Sequence, residues 1–202
     1  MIIYATKKTV DRYKLKMPEE FENAVMRHIV LDVFEKEKGD ALLEWGAKIF
    51  YIDGRKCLQV CNFASKFTIV LVDIKVGDLE NVGEFIAQYM MDIYADDSEM
   101  IALLERYFKE SPLLCFAKLQ DRRVMASLNY IQSSYLEDGY RLDIYIRDEI
   151  FQTRELNRDI NKKYLFSDKI DGKKRYFLPA ERFAALLKKR YGRKQSKSEF
   201  FR

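Results

Sequence analysis

An Asp53-Gly54 pair sits between two apolar runs, and no other feature constrains the fold as tightly. Asp-Gly suits a two-residue type I′ hairpin turn, because both central positions need a positive φ. A loop of that length sets the strand register. Ile52 faces Arg55, Phe50 faces Cys57 and Ile49 faces Leu58. Carried on, the register puts Ala47 opposite Val60 and Trp45 opposite Asn62. One face then holds Trp45, Ala47, Ile49, Leu58, Val60 and Asn62. Strands are expected near 42–52, 55–63 and 67–74 as a β-meander. Phe67 to Val72 is apolar on both faces, which reads as a central strand.

Around this meander the apolar spacing predicts helices. Ile2 to Ala5 reads as a first strand. Pro18 opens a helix whose inward face is Phe21, Val25, Ile29 and Val33, with Gly39 as its stop. Asp78 caps a helix carrying Leu79, Val82, Ile86, Tyr89, Met90 and Ile93 on one face. A further helix starts near Ser98, holds Ile101, Leu104 and Phe108, and ends at Pro112. Leu113 to Leu119 reads as a strand, and Asp121 caps a helix with Val124, Leu128, Ile131 and Tyr135 inward. Past Asp138-Gly139 the pattern gives a short helix over Leu142 to Ile150 and a hairpin around Asp171-Gly172. Pro179 then opens a last helix with Phe183, Leu186 and Leu187 inward, closed by Gly192. The fold class is α+β: a mainly antiparallel sheet with a β-meander packed by helices, plus a C-terminal α-rich extension. The expected units are a core domain over 1–137, an extension over 138–192 packed on it, and a basic disordered tail over 193–202.

Composition narrows the function. The net charge of +4 is uneven: residues 188–202 hold seven cations against the single Glu199, or +6, which leaves −2 for the rest. A globally basic nucleic-acid clamp is disfavoured, but a basic arm is not. Cys57, Cys61 and Cys115 lie in apolar runs without metal spacing, so they read as unpaired buried thiols in a reducing, cytoplasmic compartment. The run Ile69-Val70-Leu71-Val72 falls far short of a membrane span. His28 is the single histidine, beside Val25 and Ile29, and reads as a core or rim side chain. Gly77 and Gly83 fit neither the Walker nor the Rossmann spacing.

Four local patterns point to a family. They are Thr6-Lys7-Lys8 after the first strand, the strand start Trp45-Gly46-Ala47, Arg55-Lys56 with Asn62 seven residues on from Arg55, and Asp121-Arg122 with Asn129. Over roughly residues 1–135 the chain resembles an uncharacterised bacterial and mobile-element family known as a domain of unknown function. It departs from that pattern at Gly46 and Lys48, where members often carry His and Asn. The resemblance implies no reaction or cofactor.

Lys7, Trp45, Arg55, Asn62, Arg122 and Asn129 form the candidate binding constellation. Cationic side chains grip phosphate, and an indole offers a base a flat apolar platform. The bland reading makes Trp45 core, Asn62 a strand-end hydrogen bonder and Asp121 a helix cap. The primary functional expectation is a non-enzymatic, cofactor-free binding module for nucleic acid or another macromolecular partner. The alternative is a Mg²⁺-dependent nuclease with a restriction-endonuclease-like core. There Asp53, Asp73 and Glu44 would hold the metal and Lys75 would assist the nucleophile.

Overall fold

The computed structural model describes residues 1–52, 54–137, 142–170 and 172–192. Asp53, the Asp138-Gly139 turn, Asp171 and the 193–202 tail therefore lie outside the described residues.

Five strands form one mixed sheet in the order β4-β3-β2-β1-β5. They are β1 (Ile2–Ala5), β2 (Glu44–Ile52), β3 (Arg55–Asn62), β4 (Thr68–Val72) and β5 (Cys115–Lys118). β2, β3 and β4 make the antiparallel meander, and β1 runs parallel to both β2 and β5. The hairpin register is the one the Asp-Gly pair demands: Ile52 faces Arg55 and Trp45 faces Asn62. Gly54, at φ 75, supplies left-handed backbone at the turn.

Both faces of the sheet are buried. One carries Trp45, Ala47, Ile49, Leu58 and Val60 into the larger core. That face is covered by α1 (Lys7–Tyr13), α3 (Val82–Ile93), α4 (Ser98–Glu110) and α7 (Pro179–Tyr191). The other carries Phe50, Ile52, Cys57, Cys61 and Val70 into a second core under α5 (Arg122–Ile131) and α6 (Thr153–Lys162). On that same side α2 (Ala24–Glu37) brings Val30 onto Ile2, Cys115 and Ala117. The architecture is α+β in three layers. Short pairs β6 (Ile146–Arg147) with β7 (Ile150–Phe151), and β8 (Phe166–Ile170) with β9 (Lys173–Phe177), complete it. No helix among the described residues is long and apolar enough to cross a membrane.

Four expectations are corrected. First, Pro18–Glu20 is a separate single turn, and α2 begins at Ala24 with the Asn23 side chain accepting from Val25 and Met26 N–H. Its inward residues are Val30, Phe34 and Glu37, while Val25, Ile29 and His28 face out. On that inward side Glu37 lies 2.5 Å from the Met1 ammonium. Second, β4 is an edge strand rather than a central one. Its second face and its edge are buried by helix α6. Third, Leu142 to Ile150 is a 3₁₀ turn followed by the start of a tiny hairpin, not one helix. Fourth, Asp78 does not cap α3: Val76–Asn81 is a 3₁₀ turn and the helix starts at Val82.

Candidate functional site

β1 stops at Ala5, opposite Ala47, while β2 continues to Ile52. Beyond that point β2 pairs with no described strand on the β1 side, and a notch opens. After β1 the chain crosses to the larger core as α1; after β5 it crosses to the opposite face as α5. Adjacent parallel strands whose connections leave in opposite directions frame a crevice at their carboxyl ends.

Thr6 shapes one wall. Its hydroxyl accepts from Thr9 N–H at 3.3 Å as the cap of α1, and Thr9 Oγ1 in turn accepts from Ile49 N–H at 2.9 Å. Lys7 and Lys8 follow in the first turn, both exposed. Cations there oppose the helix dipole, so stability of α1 does not account for them. Lys8 Nζ lies 5.7 Å from the centre of the half-exposed Tyr51 ring. The far wall is α5, which can approach β2 because Gly46 has no side chain. A Cβ there would fall 2.7 Å from Val124 Cγ1. Lys48 rises between the walls, donating to Asn129 Oδ1 at 2.7 Å and to Gln132 Oε1. Opposite Lys48 on β3, Gln59 is fully buried and its amide has no partner among the described residues. The notch measures about 420 Å³ and is lined by Thr6, Lys8, Lys48, Tyr51, Met125 and Gln132 among others. None of its described lining residues is a carboxylate.

The six residues of the sequence constellation divide. None of the six lines the notch itself, but Asn129 accepts from Lys48 at its edge, Arg122 shares with Met125, Asn129 and Gln132 one side of α5 and its continuation, and Lys7 precedes Lys8. Trp45 is fully buried, its indole N–H donating to Tyr107 Oη at 2.9 Å between the Phe67 and Phe183 rings. It offers no platform to a base. Burial also pushes the Tyr107 hydroxyl far above the usual phenol range, so it stays protonated. Asn62 is equally buried, donating to Leu42 O at 2.9 Å and accepting from the Ala64 and Ser65 N–H groups. Arg55 sits at the hairpin end, paired with Asp73 at 2.7 Å and donating to Glu149 O.

The nuclease set is also spread out. Asp73 holds left-handed backbone, φ 57, and faces Arg55. Lys75 N–H donates to Asp78 Oδ2, closing the turn that follows. Glu44 begins β2, whereas Asp73 follows β4 at the sheet end where β2 finishes. That separates them by most of a nine-residue strand, far more than one metal ion spans. Asp53 lies outside the described residues. The three cysteines are free and buried. Burial pushes the Cys57 thiol up to about 12 and that of Cys115 to about 11.

Sequence reasoning missed Lys8, Lys48 and Tyr51. The signal for Lys48 was present as a charged side chain inside an otherwise apolar strand, where only a specific partner makes the charge tolerable.

Three-layer packing around a mixed sheet, with a cationic crevice at a strand terminus, defines the chain as an α+β protein. The chain belongs to the family described as a domain of unknown function, DUF6933, whose model matches residues 2–182. The match runs through α6 into α7, well past residue 135. No curated protein and no solved structure matches the chain.

Proposed function

We propose that this chain is a non-catalytic nucleic-acid-binding module of the bacterial cytoplasm. The notch, with cations and no carboxylate among its described lining residues, carries the reading. Lys8 and Lys48 in the notch, with the exposed Arg122 on the same side of α5 as Met125, supply cations for the phosphate backbone, Thr6 and Gln132 supply neutral hydrogen bonds, and Tyr51 offers an exposed ring for stacking. The unpaired thiols support a reducing compartment.

The test is fluorescence anisotropy with a labelled single-stranded oligonucleotide over a salt series. Lys8→Gln with Arg122→Gln should weaken binding about tenfold or more and cut the slope of log affinity against log salt by roughly 1.5. Both side chains are exposed, so folding should be untouched. Unchanged affinity and slope would refute the reading.

A second reading, the Mg²⁺-dependent nuclease, draws on one observation: Asp73 keeps an exposed carboxylate on strained left-handed backbone. Incubating the same oligonucleotide with Mg²⁺ separates the two. Cleavage that disappears in Asp73→Ala would favour the nuclease.

A further inference from the structure

A second cleft lies on the other side of α5, over the sheet face that carries Tyr4 and Glu44. α2 contributes Phe34 and Glu35, the β5–α5 connection contributes residues 117–121, and Phe63 closes the floor. Its volume is about 620 Å³, within the usual range for small-molecule sites.

Its chemistry is the reverse of the notch. Tyr4 stacks on Phe63 with centroids 5.5 Å apart, and Phe34 tilts against Tyr4 at 6.5 Å, so the floor is aromatic. Glu44 is 8% exposed, and this near-burial makes it the telling group. Its Oε1 accepts both the Tyr4 hydroxyl, at 2.9 Å, and Gly39 N–H, at 2.8 Å. Those two bonds lock the carboxylate in place. No described residue donates to Oε2. Oε2 is not among the fully buried side-chain oxygens left without a partner; it keeps access to the cleft that Glu44 lines, which leaves a place for a ligand's donor. Burial, with Glu44 as acceptor and nearby charge, holds the Tyr4 hydroxyl well above the usual phenol range, so the Tyr4 donor persists at any physiological pH.

The surroundings choose the sign of the missing group. Glu19, Glu35 and Asp121 join Glu44 in the lining, against Lys38 and Lys118. Lys38 is already engaged, 3.9 Å from Glu35 and over the Phe34 ring. A net negative cleft with aromatic faces repels anions and attracts cations that carry apolar surface. Among the described residues no three carboxylates converge as a metal ion would require.

We propose that this cleft binds an organic cation, a primary amine or guanidinium on a planar body. The charged head donates to Glu44 Oε2, and the body lies on the Tyr4, Phe34 and Phe63 rings. This site is independent of the notch and differs from it in charge.

The experiment is isothermal titration calorimetry of the full chain with tyramine, against 4-hydroxyphenylacetate as the anion of similar shape. Tyramine should bind, and the anion should bind at least about tenfold more weakly. Glu44→Gln keeps the shape and the acceptor but removes the charge, and should weaken tyramine about tenfold or more. Should Glu44→Gln fail to fold, Phe63→Leu replaces it. That change should weaken tyramine while leaving butylamine, which has no ring, unaffected. Absence of tyramine binding at millimolar concentration would overturn the proposal. So would equal affinity for the anion, or tyramine affinity unaltered in the folded variant.

Discussion

Cys57 shows how position alone decides the behaviour of a side chain. The apolar run around it already marks it as a buried, unpaired thiol, and the fold shows what buries it. It faces Phe50 across the hairpin in the second core, and burial pushes its thiol up to about 12 from the ordinary 9.0. The raised value gives the sign of the pH effect. The thiol's contribution to stability is complete below pH 9 and is lost as pH rises toward 12, by at most about 1.4 kcal/mol per unit. Cys57→Ser removes that titration. The stability gap between wild type and Cys57→Ser should therefore narrow by about 2 kcal/mol between pH 8 and pH 10.5, read by urea unfolding at each pH. A constant gap would show that Cys57 does not titrate with folding. Trp45 teaches the same lesson. Its register with Asn62 was legible from the turn, yet its burial against Tyr107, Phe67 and Phe183 depends on α4, α7 and the segment before β4.

Helix α6 is the element that sequence patterning missed, and it does more than fill a core. Asn157 Oδ1 accepts from Val70 N–H at 2.7 Å, and its Nδ2 donates to Val70 O at 3.0 Å. One turn later, Asn161 does the same for Thr68, at 2.9 Å and 2.6 Å. Two amides at i and i+4 thus stand in for the missing strand and close the β4 edge. In sequence, a pair of asparagines in a charged segment reads as a solvated loop, because Asn favours turns. Asn157→Ala would leave a buried N–H and a buried C=O unpaired, and should cost about 2–3 kcal/mol in chemical unfolding. Asn157→Asp keeps the acceptor but loses the donor to Val70 O, so it should also destabilise. Wild-type stability in Asn157→Asp would mean the site needs only its volume filled.

For the whole molecule, charge is arranged by region. The notch at the end of β1 is cationic and the cleft under α2 is anionic, with α5 between them. The remaining positive charge belongs to the end of the chain: residues 193–202 carry Arg193, Lys194, Lys197 and Arg202 against Glu199. If the notch holds nucleic acid, those four cations should add to its salt dependence. Deleting residues 193–202 is expected to lower the slope of log affinity against log salt by about 3 in the anisotropy assay. An unchanged slope would assign all of the phosphate contacts to the body of the protein.

The amino-acid sequence determined what local rules control. The Asp53-Gly54 pair set the eight-residue register of β2 on β3, and 3.6-residue spacing marked the inner faces of α3, α5 and α7. Those signals need only a few neighbouring residues, because a turn or a helix face is decided within one or two turns of chain. The tertiary structure alone decided the rest. It decided that an apolar strand would lie at an edge, since a helix can bury a strand as well as a neighbouring strand can. It rotated α2 so that Val30 and Phe34, not Val25 and Ile29, meet the sheet. It also separated Trp45 and Asn62 from Arg122 and Asn129, and it set Lys48 between α5 and the end of β1. Groups distant in sequence share a cleft only when the strand order brings them there, and no local pattern encodes that order.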